Sequence, residues 1–154
     1  MQFEGTTLIR APRETVYAFL LDPERVGPCG PGVESIEVID ETHYQAVAKV
    51  GIGFISARFR VTVELTEQEP PSRAVVKAHG QAPGSAVDGT AEMRLSEEDP
   101  TTTRMDWHAE VAIHGAIAGV GARLIEGTAN KMITQSFDCI RVKLEEVPAV
   151  EAAE

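Results

Sequence analysis

The run ISARFRVTVEL, Ile55–Leu65, carries an apolar side chain at every odd position and a polar one at every even position. Successive side chains of a strand point to opposite faces, so this is a long strand with one buried and one wet face. The same parity returns in Val87, Ala91, Met93 and Leu95, with Asp88, Thr90, Glu92 and Arg94 between them. It returns again in Met105, Trp107, Ala109, Val111 and Ile113, alternating with Arg104, Asp106, His108 and Glu110. Shorter runs at 33–39, 44–50 and 74–80 add strands. Turn signals separate them: Asp40-Glu41, Gly51-Ile52-Gly53, Pro70-Pro71-Ser72, Ala82-Pro83-Gly84 and the stretch 97–102. Connections this short close hairpins but cannot carry a parallel crossover, so the sheet is predicted to be an antiparallel meander.

Outward from the sheet, the C-terminal part switches period. Leu124, Ile125, Ala129, Met132, Ile133, Phe137, Ile140 and Leu144 keep a helical rhythm, with Arg123, Glu126, Lys131, Asp138 and Arg141 on the wetter sides. One long helix is predicted from about Gly119 to Val147, closed by Pro148. Its apolar stripe needs a large partner surface, and the odd face of the sheet is the one available. Residues 148–154 are read as a disordered acidic tail after a single domain spanning 1–147. Ahead of the sheet, Ile9–Gly32 reads as a strand end, a short helix, a second helical turn and a glycine-proline loop. Pro12 suits a first helical turn, Val16, Phe19 and Leu20 make one apolar face, and Asp22-Pro23-Glu24 caps and restarts a helix.

The 154 residues carry a formal charge of −10 and no basic run, which argues against a nucleic-acid partner and against direct docking on an anionic membrane. No stretch approaches the roughly 18 apolar residues of a membrane span, and MQFEGTTLIRA has no signal-peptide core. Cys29 and Cys139 are expected as reduced thiols in a cytoplasmic protein, packing under their neighbours.

Chemistry is sparse. No nucleophile elbow, H-E-x-x-H or phosphate loop occurs. His108 sits beside Asp106 and Glu110 on the wet parity, where a solvated face is favoured over a metal site. Cys29 has only Arg25 as a nearby cation to make it a nucleophile. The inward positions of the long strands supply no carboxylate or histidine for acid–base work, which argues against an enzyme. Small inward residues such as Ala57, Ala91, Ala109 and Ala129 leave volume between sheet and helix. Whether Trp107, Phe54, Phe59 and the methionines fill that volume or a ligand does stays open.

Three motifs resemble one known family. Phe3-x-Gly5, the run I-x-A-P-R-E-x-V-x-x-F-L-x-D-P-E over 9–24 and C-x-P-G-V-E over 29–34 are similar to the CoxG family, named for the G component of carbon monoxide dehydrogenase. That family belongs to the START-like, SRPBCC helix-grip superfamily with polyketide cyclases, lipid-transfer proteins and birch-pollen-allergen-like (Bet v-like) proteins. Phe59, Glu67, Pro70, Gly84, Gly89, Gly115, Gly121 and Ile125 also fall where such proteins carry similar residues. Tyr17 replaces the tryptophan common there. Some members continue to a membrane-anchoring tail, a segment not expected in this sequence.

The resemblance implies an α+β helix-grip fold, a curved antiparallel sheet of six or seven strands around a long C-terminal helix, with two short helices after the first strand. It also implies a pocket for an apolar or amphipathic, lipid- or quinone-like molecule. The partner implied is a carbon monoxide dehydrogenase-type molybdenum hydroxylase, reached through maturation, recruitment or quinone delivery. Residues expected to line the pocket are Phe54, Phe59, Met93, Trp107 and Ala109 from the sheet, and Ile125, Ala129, Met132 and Ile133 from the helix. Cys29, Pro31 and Gly32 are expected to form its gate. No cofactor, metal or catalytic residue is expected. A homodimer, peripheral attachment to the inner membrane through a partner, a cyclase- or hydrolase-like activity using His114, and a ligand-free interaction module stay open.

Overall fold

The computed structural model describes the backbone over residues 1–153 and side chains through Glu145. The elements follow the chain as β1 (Gln2–Ile9), α1 (Arg13–Leu21), α2 (Pro23–Val26) and a 3-10 turn (Gly27–Cys29). A meander follows: β2 (Val33–Val38), β3 (His43–Ile52), β4 (Ile55–Glu69), β5 (Arg73–Ala82), β6 (Ser85–Asp99) and β7 (Thr102–Gly115). A second 3-10 turn (Ala116–Val120) leads into α3 (Ala122–Ala153). One seven-stranded sheet has the order β1-β7-β6-β5-β4-β3-β2, every pair antiparallel. The first strand thus closes onto the last, and the sheet curls around α3.

Local chemistry accounts for the elements. Pro12 stands at the N-cap of α1 with Glu14 in the first turn, where the helix dipole favours its charge. Asp22 accepts a hydrogen bond from the backbone N–H of Glu24, and Pro23 occupies the first position of α2. The helix α3 has 32 residues, about 48 Å at the usual rise. It runs on through Pro148, where the sequence placed its end, although a proline there removes one ladder bond and crowds the preceding turn. Side chains of the expected tail 148–154 lie outside the described residues.

The core is uneven along α3. Its C-terminal half packs into a closed cluster of Ile9, Val16, Phe19, Leu95, Met105, Ile140 and Leu144, against which Met93, Trp107 and Phe137 lie. Trp107 and Phe137 sit with ring centroids 5.4 Å apart. Gly5, paired with Trp107 across β1 and β7, makes this possible: a Cβ there would stand 2.9 Å from the indole. Thr103, fully buried, donates its hydroxyl to the carbonyl of Ala11 at 2.7 Å and so fixes the entry to α1. The other half holds a smaller cluster of Ile52, Phe59, Ala82 and Ile117.

One expectation is overturned. Cys29 and Cys139 form a disulfide with Cα atoms 5.4 Å apart, joining positions separated by 110 residues. The 3-10 turn after α2 folds onto α3, a contact that no local sequence signal announces. In the chain-entropy account a loop of this size is worth about 5 kcal/mol. Reducing agent is therefore expected to lower the melting temperature by about 10 °C or more, an effect absent in Cys29→Ser/Cys139→Ser. Identical melting curves with and without reductant would contradict the link.

The β2–β3 turn gives a second test. Asp40 accepts from the backbone N–H and hydroxyl of Thr42 and contacts His43 Nδ1 at 2.9 Å. The Thr42 N–H above all, then His43, hold its carboxyl down to about 2. Its contribution is present above the normal carboxylate range and is lost as pH falls from about 4 to about 2. Acid-unfolding curves of Asp40→Asn should lose this component; an unchanged acid limb would count against it.

Candidate functional site

Beside the smaller cluster lies a cavity of about 290 Å³ between sheet and helix. The wall is built by parity. From the sheet come Ala48, Val50 and Ile52 of β3, Phe59 and Val61 of β4, Ala78 and Gly80 of β5, Val87 and Gly89 of β6, and Val111 and Ile113 of β7. Ile117 closes from the second 3-10 turn, and α3 contributes Ile125, Thr128, Ala129 and Met132. Strand register aligns these heights: Ala48 opposes Phe59, Val61 opposes Gly80, Gly80 opposes Val87, and Val87 opposes Ile113. Alanines and glycines stand where the closed half has Met93, Leu95, Met105 and Trp107. That difference in side-chain volume is the physical origin of the void.

Thr128 alone among the wall's side chains carries a polar atom, and no wall residue titrates. Such a surface offers area burial at about 25 cal/mol per Å² and a single hydroxyl for orientation. A charged ligand group inside would find no partner and is excluded by its desolvation cost. At about 290 Å³ the space lies at the lower end of small-molecule pockets.

The residues expected to line the pocket divide. Phe59, Ile125, Ala129 and Met132 stand on the wall. Met93 and Trp107 point to the correct face but belong to the closed half, packed against its core. Ala109 pairs with Ala91 and Phe3 between the two halves, and Ile133 lies half-buried beside the wall without joining it. Phe54 is wholly exposed, because the β3–β4 turn lifts it off the alternating strand. The expected gate is also corrected. Cys29 is bonded to α3 at Cys139, about two turns past Met132, and Gly32 holds Lys49 by a 2.9 Å backbone hydrogen bond. Cys29, Pro31 and Gly32 therefore form a pinned strap that contributes nothing to the cavity wall.

The histidines lie elsewhere. His79 Nδ1 is 2.6 Å from Asp88, and His114 Nε2 is 3.6 Å from the same carboxylate, all on the outer, solvated face of the sheet. The His79 hydrogen bond lowers the Asp88 pKa. Asp106 is held by Thr6 and Arg104, and Glu110 by Gln2, so the carboxylates flanking His108 are already engaged. Wall residues absent from the sequence expectation, such as Val87, Val111 and Ile113, carry the right parity; only register reveals their height.

The family model for CoxG, the G component of carbon monoxide dehydrogenase, matches residues 5–145. The chain belongs to the CoxG family. Solved structures agree on the fold. A conserved protein from Geobacillus kaustophilus aligns with a TM-score of 0.88 at 23% identity, covering 95% of this chain and 96% of that one. The Zhui aromatase/cyclase from Streptomyces sp. R1128 aligns at 0.70 with 14% identity, covering 94% and 93%. A START superfamily protein from Mycobacterium smegmatis aligns at 0.68 with 12% identity, covering 95% and 98%. No curated protein matches the sequence. This CoxG-family chain thus has the START-like helix-grip fold, a seven-stranded antiparallel sheet around one long C-terminal helix.

The unequal halves make opposite predictions for the same substitution. Ala129→Leu places new methyl groups in the cavity and is expected to change stability by less than about 1 kcal/mol. Ala74→Leu, in the closed cluster, is expected to destabilise by about 1–3 kcal/mol. Urea unfolding measures both; equal costs at the two sites would argue that the cavity is filled.

Proposed function

We propose that this CoxG-family protein binds one small, neutral, apolar or amphipathic molecule in the cavity between sheet and α3. The observation that carries this is a wall of apolar side chains with a single hydroxyl, Thr128, around about 290 Å³. A quinone head group or the end of a lipid-like chain suits such a wall, since either buries area and needs few polar contacts. The protein acts as a carrier rather than a catalyst: the wall offers no general acid, base or nucleophile, and the histidines sit on the outer face. Family membership supports a role as accessory to a carbon monoxide dehydrogenase-type molybdenum hydroxylase, to which a carried quinone would be a fitting delivery.

Titration with the neutral dye N-phenyl-1-naphthylamine, followed by displacement with menadione, tests the reading. One saturable site is expected, with affinity weakened about tenfold in Ala129→Leu. Native mass spectrometry of protein purified without detergent should show a bound apolar compound. Absence of saturable dye binding would overturn the proposal. Turnover of the displaced ligand would replace the carrier reading with an enzymatic one.

A further inference from the structure

Three connections meet at the hollow end of the sheet, and they differ in how they are held. The β3–β4 and β5–β6 hairpins stay paired to their last residues, Ile52 with Ile55 and Ala82 with Ser85. Moving either turn breaks ladder hydrogen bonds. The third connection, Ala116–Val120 between β7 and α3, lies outside the ladder. Two hydrogen bonds tie it to the neighbouring hairpin. The Ala116 N–H donates to the Gly84 carbonyl at 2.8 Å, and the Ile117 N–H donates to the Ser85 hydroxyl at 3.1 Å.

Side chains add little to that hold. Ala116, Ala118 and Gly119 are exposed, and Val120 is half-buried. Ile117 is buried, packs with Ile52, Phe59 and Ala82, and closes this end of the cavity. It is the one wall residue, among those described, that belongs neither to the sheet nor to α3. Glycines with positive φ bound the turn, Gly115 at 87° and Gly121 at 101°. The first is clamped, since a Cβ there would stand 2.1 Å from the Gly84 carbonyl oxygen; the second has open space around it. Without a Cβ, glycine moves between left- and right-handed backbone at little cost, so Gly121 can act as a joint at the foot of α3.

We infer that Ala116–Val120 is a lid: it swings about Gly115 and Gly121, draws Ile117 out of the cavity's end and so opens the space to a ligand. The Ile117–Ser85 hydrogen bond is its latch and the Ile117 side chain its plug. So few contacts release and re-form far more often than the ladder beside them opens. A 3-10 turn suits the part, because its hydrogen bonds are poorly aligned; the Gly121 N–H reaches the Ala118 carbonyl at only 3.4 Å. Ser85 stands off the wall, so the latch controls entry without touching what is held. That the lid serves exchange of an apolar ligand rests on the carrier reading; its opening does not.

Hydrogen exchange at the Ile117 amide reads the opening with no ligand present. It is expected to run about a hundredfold faster than at Met105, in the closed core of the same sheet. Gly121→Ala strains the closed backbone without a clash and should speed it about fivefold further. Stopped-flow mixing with N-phenyl-1-naphthylamine reads the gate. Ser85→Ala removes the latch, so association and dissociation should both quicken about fivefold while Kd stays within about twofold of the parent's. A wall substitution such as Ala129→Leu changes Kd instead. Melting curves close to the parent's confirm that both lid variants fold. Ile117 exchange as slow as that of Met105, or dye rates unchanged in both Ser85→Ala and Gly121→Ala, would overturn the lid. If the parent binds no dye, the carrier reading falls, and the Ile117 exchange alone decides whether the turn opens.

Discussion

A single helix must satisfy the concave face of a seven-stranded sheet, and one helix cannot fill that much surface along its whole length. Everything else in the molecule follows from how this shortfall is shared. Toward one end, α1, α2 and the Cys29 turn come in beside α3, and Trp107, Phe137, Met105 and Leu144 complete a dense core. Toward the other end, among the described residues, only the second 3-10 turn comes in, through Ile117, and Ala78, Gly80, Gly89 and Ala129 face one another across open space. A close-packed interior and a cavity are thus two answers to one geometric demand within one fold.

Charge divides along the same line. Arg73 bridges Glu67, Glu69 and Glu92 near the filled end, and those three hydrogen bonds, Glu67 first, push its pKa upward. Tyr17 reaches the Arg73 carbonyl from α1, tying the short helices to that network, and burial pushes its phenol upward. Among the described residues the hollow end has no comparable network. Its turns are built of glycine, alanine, proline and isolated apolar residues, so its surface character is set by what is missing as much as by what is present.

Period-two alternation and one long helical stripe make the architecture legible in the sequence, because side-chain direction in a strand is fixed by parity. Parity names a face but not a height on it. Met93 and Trp107 share the face of Val111 and Ile113, and pairing register alone puts the first two in the filled core and the others on the wall. Phe54 misled for a related reason: its neighbours continue the alternation, whereas a glycine turn takes it out of the strand. The Cys29–Cys139 bond was illegible since nothing local couples positions 110 residues apart. The family motif over 9–24 sits at the filled end, remote from the wall, although the family-like Phe59, Gly89 and Ile125 stand on it.

That remoteness has an evolutionary meaning. The disulfide, Thr103 and the Trp107–Phe137 pair anchor the fold at one end. The wall residues at the other end carry little of that burden. Drift among Ala78, Val87, Val111 and Ala129 can reshape the space without endangering the scaffold. A lineage built this way can exchange one cargo for another by a few aliphatic substitutions, keeping its recognisable N-terminal signature throughout. Kinship then says much about the frame and little about what it holds.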